Sequence, residues 1–163
     1  MKHVAFSTAA FVAALALQSS PASAQSLVSA HPANSTNPAG IEPFKGDRIY
    51  KAFHEKEGVQ RIIDDFVPRI ASDPRIKDHF ATTNLPRLNL LLVQQICYLT
   101  GGPCEYTGRD MRTTHASLGI SKADFNALAE DLRLSMDKEK VNFHAQNQLL
   151  AKLAPQERVI VTK

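Results

Sequence analysis

One histidine stands where its imidazole can act as a metal ligand. His115 follows the glycine-rich turn Gly101-Gly102-Pro103 and a short run of residues that favour a helix. A neutral imidazole binds iron strongly, and one such ligand is enough where a porphyrin supplies the other nitrogens. These residue types and their order make His115 a candidate axial ligand of a heme iron. The alternative is an ordinary structural or surface histidine.

A heme also needs a flat, dry slot lined by large apolar side chains, and several segments of the chain offer them. An apolar stripe is by itself more typical of an ordinary protein core than of a cofactor site. The lining residues are therefore candidates that depend on the assignment of His115. They are Phe66, Phe80, Leu88, Leu92, Ile96, Met111, Leu118, Ile120, Phe125 and Leu128.

Two amphipathic helices are predicted before His115. Apolar residues recur at helical spacing from Val59 to Ile70, with charged residues on the other face. Pro68 lies inside this pattern and indicates a kink or a nearby end. A second helix is predicted to begin near Pro86, to carry a wide apolar stripe to Leu99, and to end at the Gly-Gly-Pro turn.

Two more helices are predicted after His115. Ser121 and Asp124 have the spacing of a capping box, and apolar residues follow them at helical intervals. A last helix is predicted over roughly residues 142–153. No segment alternates long enough to be a convincing strand, so the sequence predicts an all-α fold with short connections.

The first 24 residues have the pattern of a secretory signal peptide. Val4–Leu17 is almost wholly apolar, and the small residues Ala22-Ser23-Ala24 follow it. The apolar run is shorter than the roughly 20 residues of a membrane-spanning helix, so cleavage is favoured over anchoring. We expect the mature protein to begin near Gln25, without stable membrane insertion, and to be periplasmic or secreted.

The remainder of the chain divides into a linker and one domain. Residues 25–46 are rich in serine, asparagine and proline, which predicts a flexible linker. Residues 47–163 then form a single domain of ordinary size. The formal net charge is +3, and no cluster of lysine and arginine is interleaved with aromatic residues. Nucleic acid is therefore not an expected partner.

Several motifs resemble those of the group I truncated hemoglobins, also called 2/2 globins. The resemblance runs from about Ile49 to Val161, and its specific part is the segment 101–120. It implies a 2-over-2 helical sandwich around a non-covalently bound heme b. The motifs are Ile49-Tyr50, Ile62-Ile63-Asp64-Asp65-Phe66, Asp73-Pro74-Arg75, Phe80, Thr83-Asn84-Leu85, Arg87-Leu88, Thr100-Gly101-Gly102-Pro103, Tyr106-Thr107-Gly108, Met111 and His115-x-x-Leu118-Gly119-Ile120.

The resemblance also implies roles for individual residues. His115 matches the proximal heme ligand, and Phe80 matches the phenylalanine that packs on the porphyrin. Leu88 and Leu92 match positions of the distal helix. The implied function is reversible binding of a diatomic gas (O₂, NO or CO), with an electron donor that the sequence does not identify.

The distal side departs from the pattern of the family. Val67 stands where many members carry a tyrosine, and Leu92 stands where some carry a glutamine. Hydrogen-bond donors hold a gaseous ligand that carries partial negative charge, so an apolar pocket is expected to hold O₂ poorly. Gln95 is either a remaining donor or a residue at the helix interface.

Two other functions stay open. A heme enzyme that oxidises NO or reduces peroxide is the first alternative, which the apolar distal side disfavours. A helical interaction module without heme is the second, which the presence of His115 and Phe80 disfavours. We therefore expect a ligand-binding heme protein rather than a dedicated enzyme.

The remaining reactive side chains have alternatives of their own. Cys97 and Cys104 flank the Gly-Gly-Pro turn, so a disulfide is allowed in an exported protein; otherwise Cys97 is buried and Cys104 free. No Cys-x-x-Cys-His motif occurs, which argues against covalent heme attachment of the c type. His79 is expected to point away from a heme that Phe80 faces. Arg87 and Arg112 are candidates for a heme propionate or for a solvated helix face.

Overall fold

Every regular element in the described part of the protein is a helix. The computed structural model describes residues 37–163. The predicted signal peptide and residues 25–36 of the predicted linker lie outside this range. Within it, 3₁₀ turns occupy Lys77–Phe80 and Ala154–Gln156. The α-helices are α1 (Arg48–Ala52), α2 (Glu55–Ser72), α3 (Leu85–Leu99), α4 (Met111–His115), α5 (Lys122–Lys138), α6 (Phe143–Leu153) and α7 (Glu157–Ile160).

Short side chains at the N-termini fix where the main helices begin. The side chain of Asn84 accepts a hydrogen bond from the backbone of Arg87 and caps α3. Ser121 and Asp124 form a reciprocal capping box at α5, as the sequence predicts. Such caps satisfy backbone N–H groups that have no partner within the helix, and each contributes about 1 kcal/mol.

Helix α2 is the centre of the domain because its apolar face is buried along its whole length. Val59, Ile62, Ile63, Phe66 and Ile70 all lie in one core. Helix α2 packs against both α3 and α5, and α5 also packs against α6. The pair α2–α3 therefore lies over the pair α5–α6. The all-α prediction and the 2-over-2 helical sandwich are confirmed.

A polar contact also joins α2 to α5. Asp65 on α2 accepts hydrogen bonds from Arg69 at 2.8 Å, from Ser135 at 2.9 Å, and from Lys138. Burial alone would raise the pKa of Asp65, but these donors outweigh it and lower the pKa to about 2. The surface crevice at this contact is lined mainly by charged groups, so it does not suit an apolar cofactor.

The segment 37–46 differs from the expected flexible linker. The side chain of Asn37 donates hydrogen bonds of 2.8 Å to Tyr98 Oη and to the carbonyl of Ile41. Ala39 is fully buried, and its carbonyl accepts a 2.8 Å hydrogen bond from the amide of Gln156. Tyr98 and Gln156 lie far along the chain, so the local composition gives no signal of these contacts. The segment 37–46 thus makes buried contacts with the helices that follow it, which its composition does not predict.

The packing of the segment 37–46 against the turn after α3 requires a glycine at position 101. Its φ is +89°, and a Cβ atom there would lie 2.0 Å from the carbonyl oxygen of Gly46. Only glycine combines that backbone conformation with so close an approach. The turn that leaves α3 is thus built against the segment 37–46.

No helix within residues 37–163 is both long and apolar enough to cross a membrane.

Candidate functional site

His115 is the last residue of α4, a helix of five residues that begins at Met111. The side chain of Asp110 accepts a 2.9 Å hydrogen bond from the backbone of Thr113 and caps this helix. Hydrogen bonds from Thr113 hold the pKa of Asp110 below its ordinary value, which keeps the cap ionised. The side chain of His115 is half-buried at the end of α4.

The imidazole of His115 is oriented by the backbone of its own helix. Its Nδ1 lies 2.8 Å from the carbonyl oxygen of Met111. A carbonyl oxygen only accepts hydrogen bonds, so Nδ1 carries the proton of the neutral ring and Nε2 keeps its lone pair. We find no hydrogen bond to Nε2 from any residue in 37–163. This is the arrangement in which a histidine is ready to ligate a metal.

The predicted lining residues differ in how far the protein covers them. Phe66, Ile96, Met111 and Ile120 are buried. Leu118 is 39% exposed. The others remain partly exposed, although they are large and apolar; they are Phe80, Leu88, Leu92, Phe125 and Leu128.

The packing of the helices explains this partial exposure. Helix α3 packs against α2, and α4 packs against α7. Within residues 37–163, no comparably extensive contact joins α3 to α4 or to α5. Leu88 and Leu92 on α3 and Leu128 on α5 therefore pack against the core without full cover. Partly exposed apolar side chains of this kind suit contact with a flat apolar ligand.

The distal candidates are apolar, and Leu88 and Leu92 pack against the core that contains Val67. Val67 is only 4% exposed and lies on the core side of α2. The amide nitrogen of Gln95 donates to Sδ of Met111 at 3.7 Å, so this side chain is directed at α4. The structure therefore favours the interface role for Gln95 over the role of a donor to a gaseous ligand.

The other described histidines are engaged elsewhere or exposed. His79 Nε2 lies 3.2 Å from Asp124 Oδ2, at the capped start of α5. His54 Nδ1 lies 2.9 Å from Glu139. His144 is exposed, as are Arg87 and Arg112. His54 also leaves its Nε2 without a partner, but it is exposed, whereas His115 is partly buried and its Nδ1 faces a backbone carbonyl. These two features distinguish His115 as the candidate ligand.

Cys97 and Cys104 form a disulfide with a Cα–Cα distance of 5.7 Å. This settles the alternative that the sequence leaves open, because both cysteines of the chain are paired. The bond joins the last turn of α3 to the loop that leads to α4.

A family model described as bacterial-like globin matches residues 48–161. The chain belongs to this family. Relatives of the globin include a group 1 truncated hemoglobin of Mycolicibacterium paratuberculosis, 27% identical over 107 residues, covering 66% of this chain and 79% of the relative. Another is a group 1 truncated hemoglobin of Synechocystis sp., 32% identical over 88 residues, covering 52% of this chain and 71% of the relative.

Solved structures of truncated hemoglobins share the fold of this globin. The ferric truncated hemoglobin of Tetrahymena pyriformis superposes with a TM-score of 0.68 at 20% identity. The match covers 71% of this chain and 98% of that protein. At this level of identity the match supports the helical sandwich rather than any particular residue.

The residues of this globin fit the heme that its family implies. His115 offers one oriented Nε2 atom, and partly exposed apolar side chains on α3 and α5 offer a surface for the porphyrin. Among residues 37–163, no three His, Cys, Asp or Glu side chains converge into a metal site. Heme iron needs no such cluster, because the porphyrin supplies four of its ligands.

Two features of the site could not be found from the sequence. Thr107 donates from its backbone nitrogen and its hydroxyl to the side chain of Gln94, which ties the loop before α4 to α3. The segment 37–46 packs beside the turn that begins this loop. Both depend on contacts between distant positions, and neither has a local motif.

Proposed function

We propose that this globin binds a non-covalent heme b through His115 and takes up diatomic gases reversibly. The observation that carries the proposal is the 2.8 Å contact between His115 Nδ1 and the carbonyl of Met111. It fixes the tautomer that leaves Nε2 free to ligate and makes that nitrogen a stronger donor. When bound, heme supplies an iron with an open coordination position that can take O₂, NO or CO.

The protein contributes orientation and exclusion of water. The backbone of α4 holds the imidazole of His115, and the apolar side chains of Phe80, Leu88 and Leu92 provide a dry surface. The arginines Arg87 and Arg112 are exposed and available to the propionates of the cofactor. The apolar character of Val67, Leu88 and Leu92 supports gas binding over oxidative catalysis, since it supplies no donor to retain O₂.

The proposal is tested by visible absorption spectra of the purified protein titrated with hemin. We expect a Soret band at one equivalent, a shifted band after reduction by dithionite, and a further shift with CO. A protein that gives no Soret band at stoichiometric hemin would contradict the proposal and favour the helical interaction module.

The apolar distal side leads to a prediction about O₂ release. Val67→Tyr introduces a hydroxyl where the wild type has only methyl groups. One well-placed hydrogen bond contributes about 1 kcal/mol, so O₂ dissociation should slow by roughly fivefold or more. Stopped-flow measurement of O₂ release checks this. Val67→Phe is the matched control, because it adds the ring without the hydroxyl. Equal rates in the Tyr and Phe variants would refute the predicted hydrogen bond.

We also propose that the globin is exported with removal of its first 24 residues. The paired state of Cys97 and Cys104 supports this, because disulfides persist in oxidising compartments. Mass spectrometry of the intact protein from its host is expected to find an N-terminus near Gln25 in the periplasmic or secreted fraction. Detection of Met1 on the mature protein in the cytoplasm would contradict export.

A further inference from the structure

The last turns of α3 hold the segment before His115 by three links. Gln94 accepts hydrogen bonds from the backbone and the hydroxyl of Thr107, at 3.2 and 2.8 Å. Cys97 is joined to Cys104. Gln95 donates to Sδ of Met111, the first residue of α4. These links attach the proximal segment directly to the distal helix.

The link between Gln95 and Met111 differs from the others because it is buried. Both residues are 8% exposed. Burying a primary amide is costly unless it makes hydrogen bonds, and a leucine at this position would simply continue the apolar stripe of α3. A glutamine is tolerated here because its amide has a partner, and that partner is Met111.

Met111 has two contacts that join α3 to the imidazole. Its sulfur accepts from Gln95, and its carbonyl accepts from Nδ1 of His115. The position of Met111 therefore determines where the acceptor of the imidazole proton lies. A hydrogen-bond acceptor at the non-ligating nitrogen orients a ligating histidine and sets its basicity.

We propose that Gln95 is a positioning residue for His115, acting through Met111. This rests on the proposed function, in which Nε2 of His115 ligates heme. Gln95 fixes Met111 from α3, Met111 fixes the acceptor for Nδ1, and the ring of His115 is thereby held in one orientation. A movement of the distal helix is then transmitted to the proximal ligand without passing through the cofactor.

The experiment compares the wild type with Gln95→Leu, Met111→Leu and the double variant, each loaded with heme. Both single variants remove one partner of the contact and nearly conserve volume. The first measurement is the iron–histidine stretching band of the ferrous protein by resonance Raman spectroscopy. The second is the rate at which hemin transfers to excess apomyoglobin. Gln95→Leu should shift the band and speed hemin loss by about threefold to tenfold, below the full effect of losing the acceptor itself.

The double variant and a matched control separate positioning from stability. Because the two residues act through one contact, the double variant should differ from the wild type no more than the stronger single variant. Gln146 is also buried, and its amide donates to Asp137 and to the carbonyl of Val141 in another part of the domain. Gln146→Leu should lower the melting temperature of the apoprotein and leave the Raman band and hemin loss unchanged.

The outcomes distinguish the two proposals. A wild type that forms no Soret band refutes the proposed function itself. A wild type with heme, together with Gln95→Leu and Met111→Leu variants whose Raman bands match the wild type, overturns the positioning role. If Gln95→Leu fails to fold, Met111→Leu tests the same contact from its other partner.

Discussion

Replacement of His115 by alanine is expected to abolish stable heme binding. No other described histidine is partly buried with its Nδ1 on a backbone carbonyl and its Nε2 free, so the variant loses its metal–protein bond. Loss of that bond should weaken hemin binding by more than the roughly 10–100-fold that loss of a ligand's hydrogen-bond partner costs. It should also eliminate the proximal-histidine signature of the ferrous CO complex. Hemin titration followed by absorption spectra of the reduced and CO-bound states provides the measurement.

Two controls test whether the loss of heme binding is specific to the imidazole of His115. His79→Ala removes another partly buried histidine, whose contact is Asp124, and should leave the spectra unchanged. His115→Gly with added imidazole should recover the CO spectrum, because a free imidazole can occupy the vacated volume. A His115→Ala protein with the Soret band and CO spectrum of the wild type would refute the assignment.

Loss of the disulfide is expected to cause the second largest change. Cys97 and Cys104 close a loop with a sequence separation of seven. The chain-entropy model gives about 2–3 kcal/mol for a loop of this length. The double variant Cys97→Ala/Cys104→Ala should therefore unfold with a free energy lower by about that amount. Urea denaturation of the apoprotein, followed by circular dichroism, measures it.

Reductant provides the control for the disulfide. Dithiothreitol should lower the urea midpoint of the wild type and have no effect on the double alanine variant. Titration of unfolded, non-reduced protein with a thiol reagent should find no free thiol. Two free thiols per chain in protein purified from an oxidising compartment would contradict the pairing.

The periodicity of the sequence predicts the helices well because it reports local burial. The apolar stripe of residues 59–70 lies in the core as α2, and the capping box at Ser121 begins α5. The sequence does not distinguish residues that line a site from residues that belong to the core. Phe66 and Leu92 have the same apolar character, yet the first is buried by α2 packing and the second stays partly exposed. Only the arrangement of α3 relative to α4 and α5 makes that difference.

The roles of polar residues are even harder to predict from the sequence, because they depend on partners that only the fold brings close. The sequence leaves Gln95 with two roles, because a helical wheel gives its direction but not its partner. That partner, Met111, lies sixteen positions later across the disulfide-linked loop. Asn37 and Gln156 are likewise explained only by contacts that the folded chain creates.

The contacts of the segment 37–46 show that the folded domain is longer than the segment that the family model matches. Family resemblance begins at Arg48, but the hydrogen bonds from Asn37 and to Ala39 reach Tyr98 and Gln156. A protein trimmed to the family boundary would leave the buried amide of Gln156 without its acceptor and would expose the turn at Gly101. The segment that the family model matches is thus too short to fold with all of these contacts, and a minimal version of this globin must also keep residues 37–46.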